Sequence, residues 1–260
     1  MLLRIIGLVG IYTEQIVKKL RENGPFGATL HEVSGTDSPL LDVACELFKE
    51  VFPEDTRYIP YVRACALQQC DSHPYTFDHV WLIEQGGEWV GLRVFSYIKT
   101  RNFGHGAYIG FRQQYRGSGL GKWLVMKTLA QLDEDAHRFG FPYSLGYLVE
   151  VERPIDSRNA EERAKDEQRL RFHKQCGGIV FPVSYTEPVM IKGVDYLQPA
   201  DLVGEEPRPM HLVLIPSTQG ASQLHLDLVD LVEGLYYDVY RLPKGHDFVK
   251  NAISHLTEVK

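Results

Sequence analysis

The order of apolar and polar residues along the chain predicts a mixture of helices and strands. In several segments apolar residues recur every three or four positions, the spacing that places them on one face of a helix. These helical segments are 13–20, 38–52, 58–69, 120–138 and 160–175. Short alternating or continuous apolar runs are typical of strands. The predicted strands are 28–33, 77–85, 89–98, 107–111, 143–151, 179–183 and 210–215.

Turn residues between these segments indicate how they are organised. Gly86-Gly87 joins two strands as a hairpin, and residues 183–208 predict a long loop or a broken hairpin. The tail 221–259 predicts two helices separated by Pro243-Lys244-Gly245. The predicted fold class is therefore mixed α/β (α+β), with a largely antiparallel central sheet flanked by helices. We expect an N-terminal appendage (1–25), a core domain (26–215) and a C-terminal helical extension (216–260).

Composition and charge exclude several classes of protein. The chain has 260 residues, 44% of them hydrophobic and 24% charged, which is typical of a folded globular protein. Its 28 basic and 34 acidic residues give a net charge of −6, so no general affinity for nucleic acid is expected. No segment is apolar enough to cross a membrane, and Arg4 interrupts the apolar run that could imitate a signal peptide. We expect a cytoplasmic protein with no membrane partner.

The four cysteines contain no CxxC pair, which predicts reduced, mostly buried thiols rather than a disulfide framework or a zinc site. His73 and His79 lie near Asp71 and Asp78, but without the spacing of metal ligands. They are more typical of a solvated turn. We therefore predict no metal.

The segment that carries chemistry is a glycine-rich turn, 115–122, between a predicted strand and a predicted helix. Glycines allow consecutive amides to converge on one point, and a helix N-terminus adds unpaired donors and a partial positive charge. A phosphate or diphosphate is the natural ligand of such a turn, with Arg116 and Lys122 beside it. The alternative is a helix start with incidental glycines and no ligand.

Two known phosphate-binding loops do not match this turn. A Walker loop fails because Arg116 stands at its first glycine and Trp123 at its hydroxyl position. The dinucleotide pattern GxGxxG fails because its last position is Lys122. Nucleotide hydrolysis is therefore disfavoured.

Gln114-x-x-Gly117-x-Gly119 resembles the Q/R-x-x-G-x-G/A motif of the GNAT superfamily of N-acetyltransferases. The resemblance extends over roughly residues 28–215 as an order of strands and helices, and it implies a GNAT-like domain that uses acetyl-coenzyme A as co-substrate. It also implies transfer of the acetyl group to an amine by direct attack in a ternary complex. The turn would hold the diphosphate and the preceding strand the pantetheine arm. The residues so implied are Ile109, Gly110, Phe111, Gln114, Arg116, Gly117, Ser118, Gly119, Leu120, Gly121 and Lys122.

The catalytic candidates are one histidine and two carboxylates. Many GNAT members have a proton-donating tyrosine in a pattern like F-Y-x-x-x-G, and here His173 stands in its place after Phe172. Glu150 and Glu152 alternate along one strand, so both point to one face, where either could act as base. We rank Glu150 first, and His105 is a third candidate.

Three questions stay open at this stage. The acceptor amine could belong to a protein lysine or N-terminus, an amino acid, a polyamine or an aminoglycoside-like compound. The aromatic stretch 235–240 could form core, cover the acceptor cleft or support a homodimer. The alternative function is a non-catalytic acyl-coenzyme A sensor. It stays open because His173 stands where many GNAT members have the proton-donating tyrosine.

Overall fold

A computed structural model of the chain describes residues 24–35, 39–67, 74–188, 208–218 and 227–257. The predicted helix at 13–20 lies outside the described residues, as do Asp71 and His73.

The centre of the fold is an eight-stranded sheet with the order β1-β2-β3-β4-β5-β8-β6, in which β7 also pairs with β8. The strands are β1 Thr29–Glu32, β2 Thr76–Gln85, β3 Glu88–Ile98, β4 Phe103–Phe111, β5 Gly146–Glu152, β6 Ile179–Val180, β7 Tyr185–Glu187 and β8 Arg208–Pro216. Neighbouring strands are antiparallel except for β4 and β5, which are parallel. The structure confirms the predicted fold class.

Six α-helices in the described part of the chain flank this sheet. They are α1 Leu40–Val51, α2 Ile59–Ala66, α3 Leu120–Arg138, α4 Ala160–Gln175, α5 Leu228–Glu233 and α6 Asp247–Thr257. The bounds of α3 and α4 are those that the sequence predicts. A π-helical turn, Gly234–Val239, continues α5, so the first predicted C-terminal helix changes its winding before it ends.

β4 and β6 are two of the strands whose lengths differ from the prediction. β4 begins four residues earlier than predicted, because it includes Gly104 and Gly106, which interrupt the apolar pattern. A Cβ on Gly104 would lie 2.6 Å from a methyl carbon of Leu132, so close packing of α3 against the strand requires glycine there. β6 has only two residues instead of the five predicted.

The two faces of the sheet are covered by different elements. On one face, α3 and α4 pack over side chains such as Phe95 and Val149. On the other face, α1 and α2 cover β2 and β3, and the C-terminal segment 227–257 covers β5 and β8. Because side chains alternate along a strand, β4 and β5 contribute to both faces.

Three of the four cysteines lie in the described part of the chain. Cys45 and Cys65 are buried and Cys176 is half-buried, none of the three in a disulfide bond, while Cys70 lies outside the described residues. None of the helices within the described ranges combines the length and apolarity that a membrane span requires.

Candidate active site

A gap opens between β4 and β5 because these two parallel strands pair only at their first residues. The pairs are Gly104 with Tyr147 and His105 with Leu148. Beyond His105 the register of β3 against β4 shifts, so that Ala107 has no partner in β3. Such a bulge bends its strand and re-aims the neighbouring side chains. One side of β4 from Gly106 to Phe111 is therefore left open.

The gap is part of a cleft of about 730 Å³ that also reaches the glycine turn. The cleft brings together most of the site residues suggested by the sequence. Those that line it are Ile109, Gly110, Phe111, Arg116, Gly117, Gly119, Gly121, Lys122, Glu150, Glu152 and His173.

Three suggested residues do not line the cleft. Gln114 lies in a short 3-10 turn, Gln113–Tyr115. The Ser118 hydroxyl donates to the carbonyl of Tyr115, 2.7 Å away. The side chain of Leu120 is buried in the core beneath α3. These three residues support the turn without lining the cleft.

The glycine turn has the geometry of an anion-binding loop. Gly117 and Gly119 have φ of 77° and 89°, left-handed values that favour glycine, and a Cβ on either would meet no atom within 4 Å. Within the described part of the chain, no amide from Gly117 to Lys122 donates to a protein acceptor. The first turn of α3 therefore presents unpaired donors to open space. Arg116 is anchored beside them, with Nε 3.0 Å from the carbonyl oxygen of Phe111.

Glu150 is the centre of a buried hydrogen-bond network. One carboxylate oxygen accepts from the hydroxyls of Tyr185 and Tyr240, and the other lies 3.0 Å from Nε2 of His105. Burial alone would raise the pKa of this carboxyl, but the hydrogen bonds from His105 and the tyrosines outweigh it and hold the pKa below its ordinary value. Glu150 is therefore ionised at neutral pH.

Glu152 lies on the same strand face, nearer to the solvent. Its carboxylate forms an ion pair with Arg169 of α4 at 3.0 Å. Both glutamates line the cleft, but only Glu150 has buried partners for its charge.

His173 approaches the gap from the opposite face of the sheet, on α4. It is 8% exposed, and its Nδ1 has no hydrogen-bond partner among the described residues. Burial, together with the nearby Arg93 guanidinium, lowers the pKa of His173 to about 4. The imidazole is therefore neutral at neutral pH, a form that can still donate one N–H.

The fold adds residues that the sequence alone did not identify. Tyr185 and Tyr240 are far from Glu150 along the chain. The aromatic stretch 235–240 indicates Tyr240 only as one possible cover of the cleft, and no local pattern indicates Tyr185. Arg93 is 1% exposed on β3, and its pKa is lowered by burial.

Glu187 also lines the cleft, and its carboxylate pairs with Arg208 at 2.6 Å. Burial raises the pKa of Glu187 to about 7.

His79 and Asp78 correct an expectation, since they are not in a solvated turn. Both are buried in β2. The His79 ring lies between Glu32, 3.2 Å from Nδ1, and Asp135, 3.1 Å from Nε2. No group of three or more His, Cys, Asp or Glu within the described ranges is arranged to hold a metal ion.

Comparison with known proteins points to one family. The sequence model of the Acetyltransferase (GNAT) family matches residues 41–177, more than half of the chain. Comparison with curated proteins gives no match.

Solved structures of several acetyltransferases are similar to this chain. An acetyltransferase assigned to the GNAT family from Bacteroides thetaiotaomicron is 16% identical with a TM-score of 0.47, over 83% of this chain and 99% of that one. A spermidine N-acetyltransferase chimera from Vibrio cholerae is 12% identical with a TM-score of 0.47, over 75% and 98%. A GNAT acetyltransferase from Elizabethkingia anophelis with acetyl-CoA bound is 15% identical with a TM-score of 0.40, over 73% and 97%.

Proposed function

Since the chain belongs to the GNAT acetyltransferase family, we propose that it is an acetyl-coenzyme A-dependent N-acetyltransferase. The observation that carries the proposal is the row of unpaired amides from Gly117 to Lys122 at the mouth of a cleft with ionisable groups at its other end. Unpaired amides at a helix N-terminus favour a diphosphate, and the cleft gives the rest of the coenzyme a path inward.

The coenzyme would lie along β4. Its diphosphate would accept hydrogen bonds from the amides of the turn, with Arg116 and Lys122 adding positive charge. Its pantetheine arm would run in the gap along Ile109, Gly110 and Phe111, with the thioester toward the bulge at Ala107. At roughly 3.3 Å per residue, the open side of β4 is roughly 16 Å long, enough for an extended chain.

The acetyl group would pass directly to an amine in a ternary complex. An ammonium has no lone pair, so a group on the acceptor side must take its proton, and Glu150 and Glu152 lie on that side. Of the two carboxylates, Glu150 serves this step, by taking the proton or by holding the group that takes it, because the carboxylate of Glu152 is already paired with Arg169 at the rim. From the opposite face, the neutral His173 would donate a hydrogen bond from its N–H to the sulfur as the thiolate leaves.

Calorimetry with acetyl-coenzyme A tests the binding half of this proposal. Gly119→Asp places a carboxylate beside the diphosphate, where two unit charges about 4 Å apart cost about 4 kcal/mol at a surface dielectric. Screening by salt reduces this repulsion to about 2 kcal/mol, which corresponds to a roughly 30-fold weaker affinity for acetyl-coenzyme A. Gly140→Asp is the matched control, because Gly140 has φ of 91°, equally open surroundings and a place at the other end of α3. Equal affinity of the Gly119→Asp variant and the wild type would refute the assigned site.

Thiol release tests the catalytic half. The wild-type chain with acetyl-coenzyme A would be offered spermidine, free amino acids, a peptide with a free N-terminus, a lysine peptide and kanamycin. We expect at least one amine to release coenzyme A faster than water does. Tight binding without release on any amine would favour the non-catalytic sensor and contradict the transferase.

A further inference from the structure

The network around Glu150 leaves that carboxylate little capacity to take a proton itself. Three donors, from His105, Tyr185 and Tyr240, occupy most of the acceptor positions that a carboxylate offers. Burial and the negative charge of Glu150 raise the pKa values of both tyrosines well above the ordinary range, so their hydroxyls remain donors. The group that this arrangement prepares for proton transfer is the histidine.

The hydrogen bond to Glu150 fixes the tautomer of His105. An ionised carboxylate can only accept, so Nε2 of His105 must carry the ring proton. The other nitrogen, Nδ1, then has a free lone pair, and this atom is buried without a hydrogen-bond partner among the described residues. A base oriented by a buried carboxylate is the arrangement that makes imidazole effective in catalysis.

The position of His105 suits the reaction. It belongs to the last pair that closes the β4–β5 gap, and it lines the cleft. Its partner in β3 is Ser96, so its side chain lies on the acceptor face, opposite His173. A thioester placed near the bulge at Ala107 would therefore have His105 as a base on one face of the sheet and the N–H of His173 as a donor on the other.

The C-terminal segment completes this network. The π-helical turn Gly234–Val239 leads directly to Tyr240, and π-turns inside helices are frequent at functional sites. Tyr236, in that turn, stacks on Tyr185 with the ring centroids 4.9 Å apart. Its hydroxyl bonds the backbone of Thr186, not Glu150. The segment thus fixes both tyrosines that hold Glu150.

We propose that His105 is the general base of the acetyl transfer and that Glu150, held by Tyr185 and Tyr240, is its positioning residue. This inference rests on the proposed function. The acceptor ammonium gives one proton to Nδ1 of His105, and the amine lone pair then forms the C–N bond with the thioester carbonyl carbon. The C–S bond breaks with its electron pair on sulfur. The attacking nitrogen keeps one hydrogen as the amide N–H and loses a second proton, which reaches the sulfur through water or is relayed by His173. His105 returns its proton to solvent.

Nitrogen-15 NMR of the imidazole rings in the full chain tests the tautomer without any acceptor. At pH 8 we expect His105 to carry its proton on Nε2 and to have an unprotonated Nδ1. A ring protonated on Nδ1 would overturn the inference, whether or not the protein turns over an amine. This separates its failure from a failure of the proposed function, which the amine panel and calorimetry report.

Kinetics with an amine that the wild type acetylates test the role. His105→Gln keeps a donor for Glu150 but loses the base, so kcat should fall by about 10²–10⁴ with the affinity for acetyl-coenzyme A unchanged. Tyr240→Phe removes one donor from Glu150 and leaves more of its charge to stabilise an imidazolium. The acidic limb of the kcat/KM profile should then move to higher pH. Glu187 also interacts with Glu150 and Tyr240, so the profiles are compared between variants only.

Tyr236→Phe is the matched control for Tyr240→Phe. It keeps the ring that stacks on Tyr185 and removes only a hydroxyl that bonds the Thr186 backbone and does not contact Glu150, so the acidic limb should stay in place even if the protein loses stability. A kcat of the His105→Gln variant equal to that of the wild type would contradict the role of His105 as the base. An acidic limb of the kcat/KM profile at the same pH in Tyr240→Phe and Tyr236→Phe would contradict the role of Glu150 as its positioning residue.

Discussion

The buried ion group around His79 gives a prediction that is independent of catalysis. The ring lies between two carboxylates, Glu32 and Asp135, and stacks on Phe95 with the ring centroids 4.6 Å apart. Burial alone would lower the pKa of His79, but the hydrogen bonds that its ring donates to Asp135 and Glu32 outweigh it and raise the pKa to about 9. His79 is therefore a buried cation at neutral pH.

The size of the effect follows from the pKa shift. A pKa raised from 6.5 to about 9 stabilises the folded protein by about 3 kcal/mol. This stability is fully present below the unfolded pKa of 6.5 and is lost as the pH rises through 9. The free energy of unfolding should therefore fall by about 3 kcal/mol between pH 6 and pH 10 for this reason alone.

Urea unfolding of the wild type and of His79→Gln across this pH range measures the effect. The difference in unfolding free energy between the two should be largest near pH 6 and should shrink by about 3 kcal/mol by pH 10. Groups such as Glu187 that titrate in the same range are common to both proteins. His31→Gln is the control, since His31 also pairs with a glutamate but is about 35% exposed at its side chain. A pH-independent difference for His79→Gln would refute the reasoning.

Three further substitutions test other parts of the account. His173→Ala should lower kcat at least about tenfold with little change in acetyl-coenzyme A affinity, measured by steady-state kinetics and calorimetry; equal kcat would remove it from the mechanism. Arg93→Met removes the guanidinium that helps to lower the pKa of His173, so that pKa, followed by NMR titration, should rise above about 4; an unchanged value would show that burial acts alone. Arg101→Met breaks ion pairs to Asp230 and Asp238 and should lower the unfolding free energy by about 2 kcal/mol in urea. An unchanged urea midpoint for Arg101→Met would contradict the stabilising role of these ion pairs.

Local features of the sequence predicted local features of the structure. The bounds of α3 follow from its apolar spacing and from the glycines beside it. α4 begins after Asn159, whose side chain accepts a hydrogen bond from the amide of Glu162, and ends before Gly177-Gly178. The Gly86-Gly87 hairpin forms because both glycines have positive φ, as the tight turn requires. The glycine turn is equally local, because its backbone and the start of α3 are consecutive in the chain.

Features that depend on distant parts of the chain were not predictable. The local sequence predicts a solvated turn at His79, but its partners Glu32 and Asp135 are 47 and 56 positions away. Tyr240 is 90 positions from Glu150 and reaches it only because the C-terminal segment packs on β5. Such contacts are set by tertiary packing, which a pattern of neighbouring residues does not contain.

The central claim is that the amides from Gly117 to Lys122 bind a diphosphate and that the β4–β5 gap receives the arm attached to it. A crystal structure of the chain grown with coenzyme A tests this most directly. The account predicts diphosphate oxygens within hydrogen-bond distance of those amides and the sulfur between His105 and His173. Coenzyme A bound elsewhere, with the gap filled by protein side chains, would contradict it.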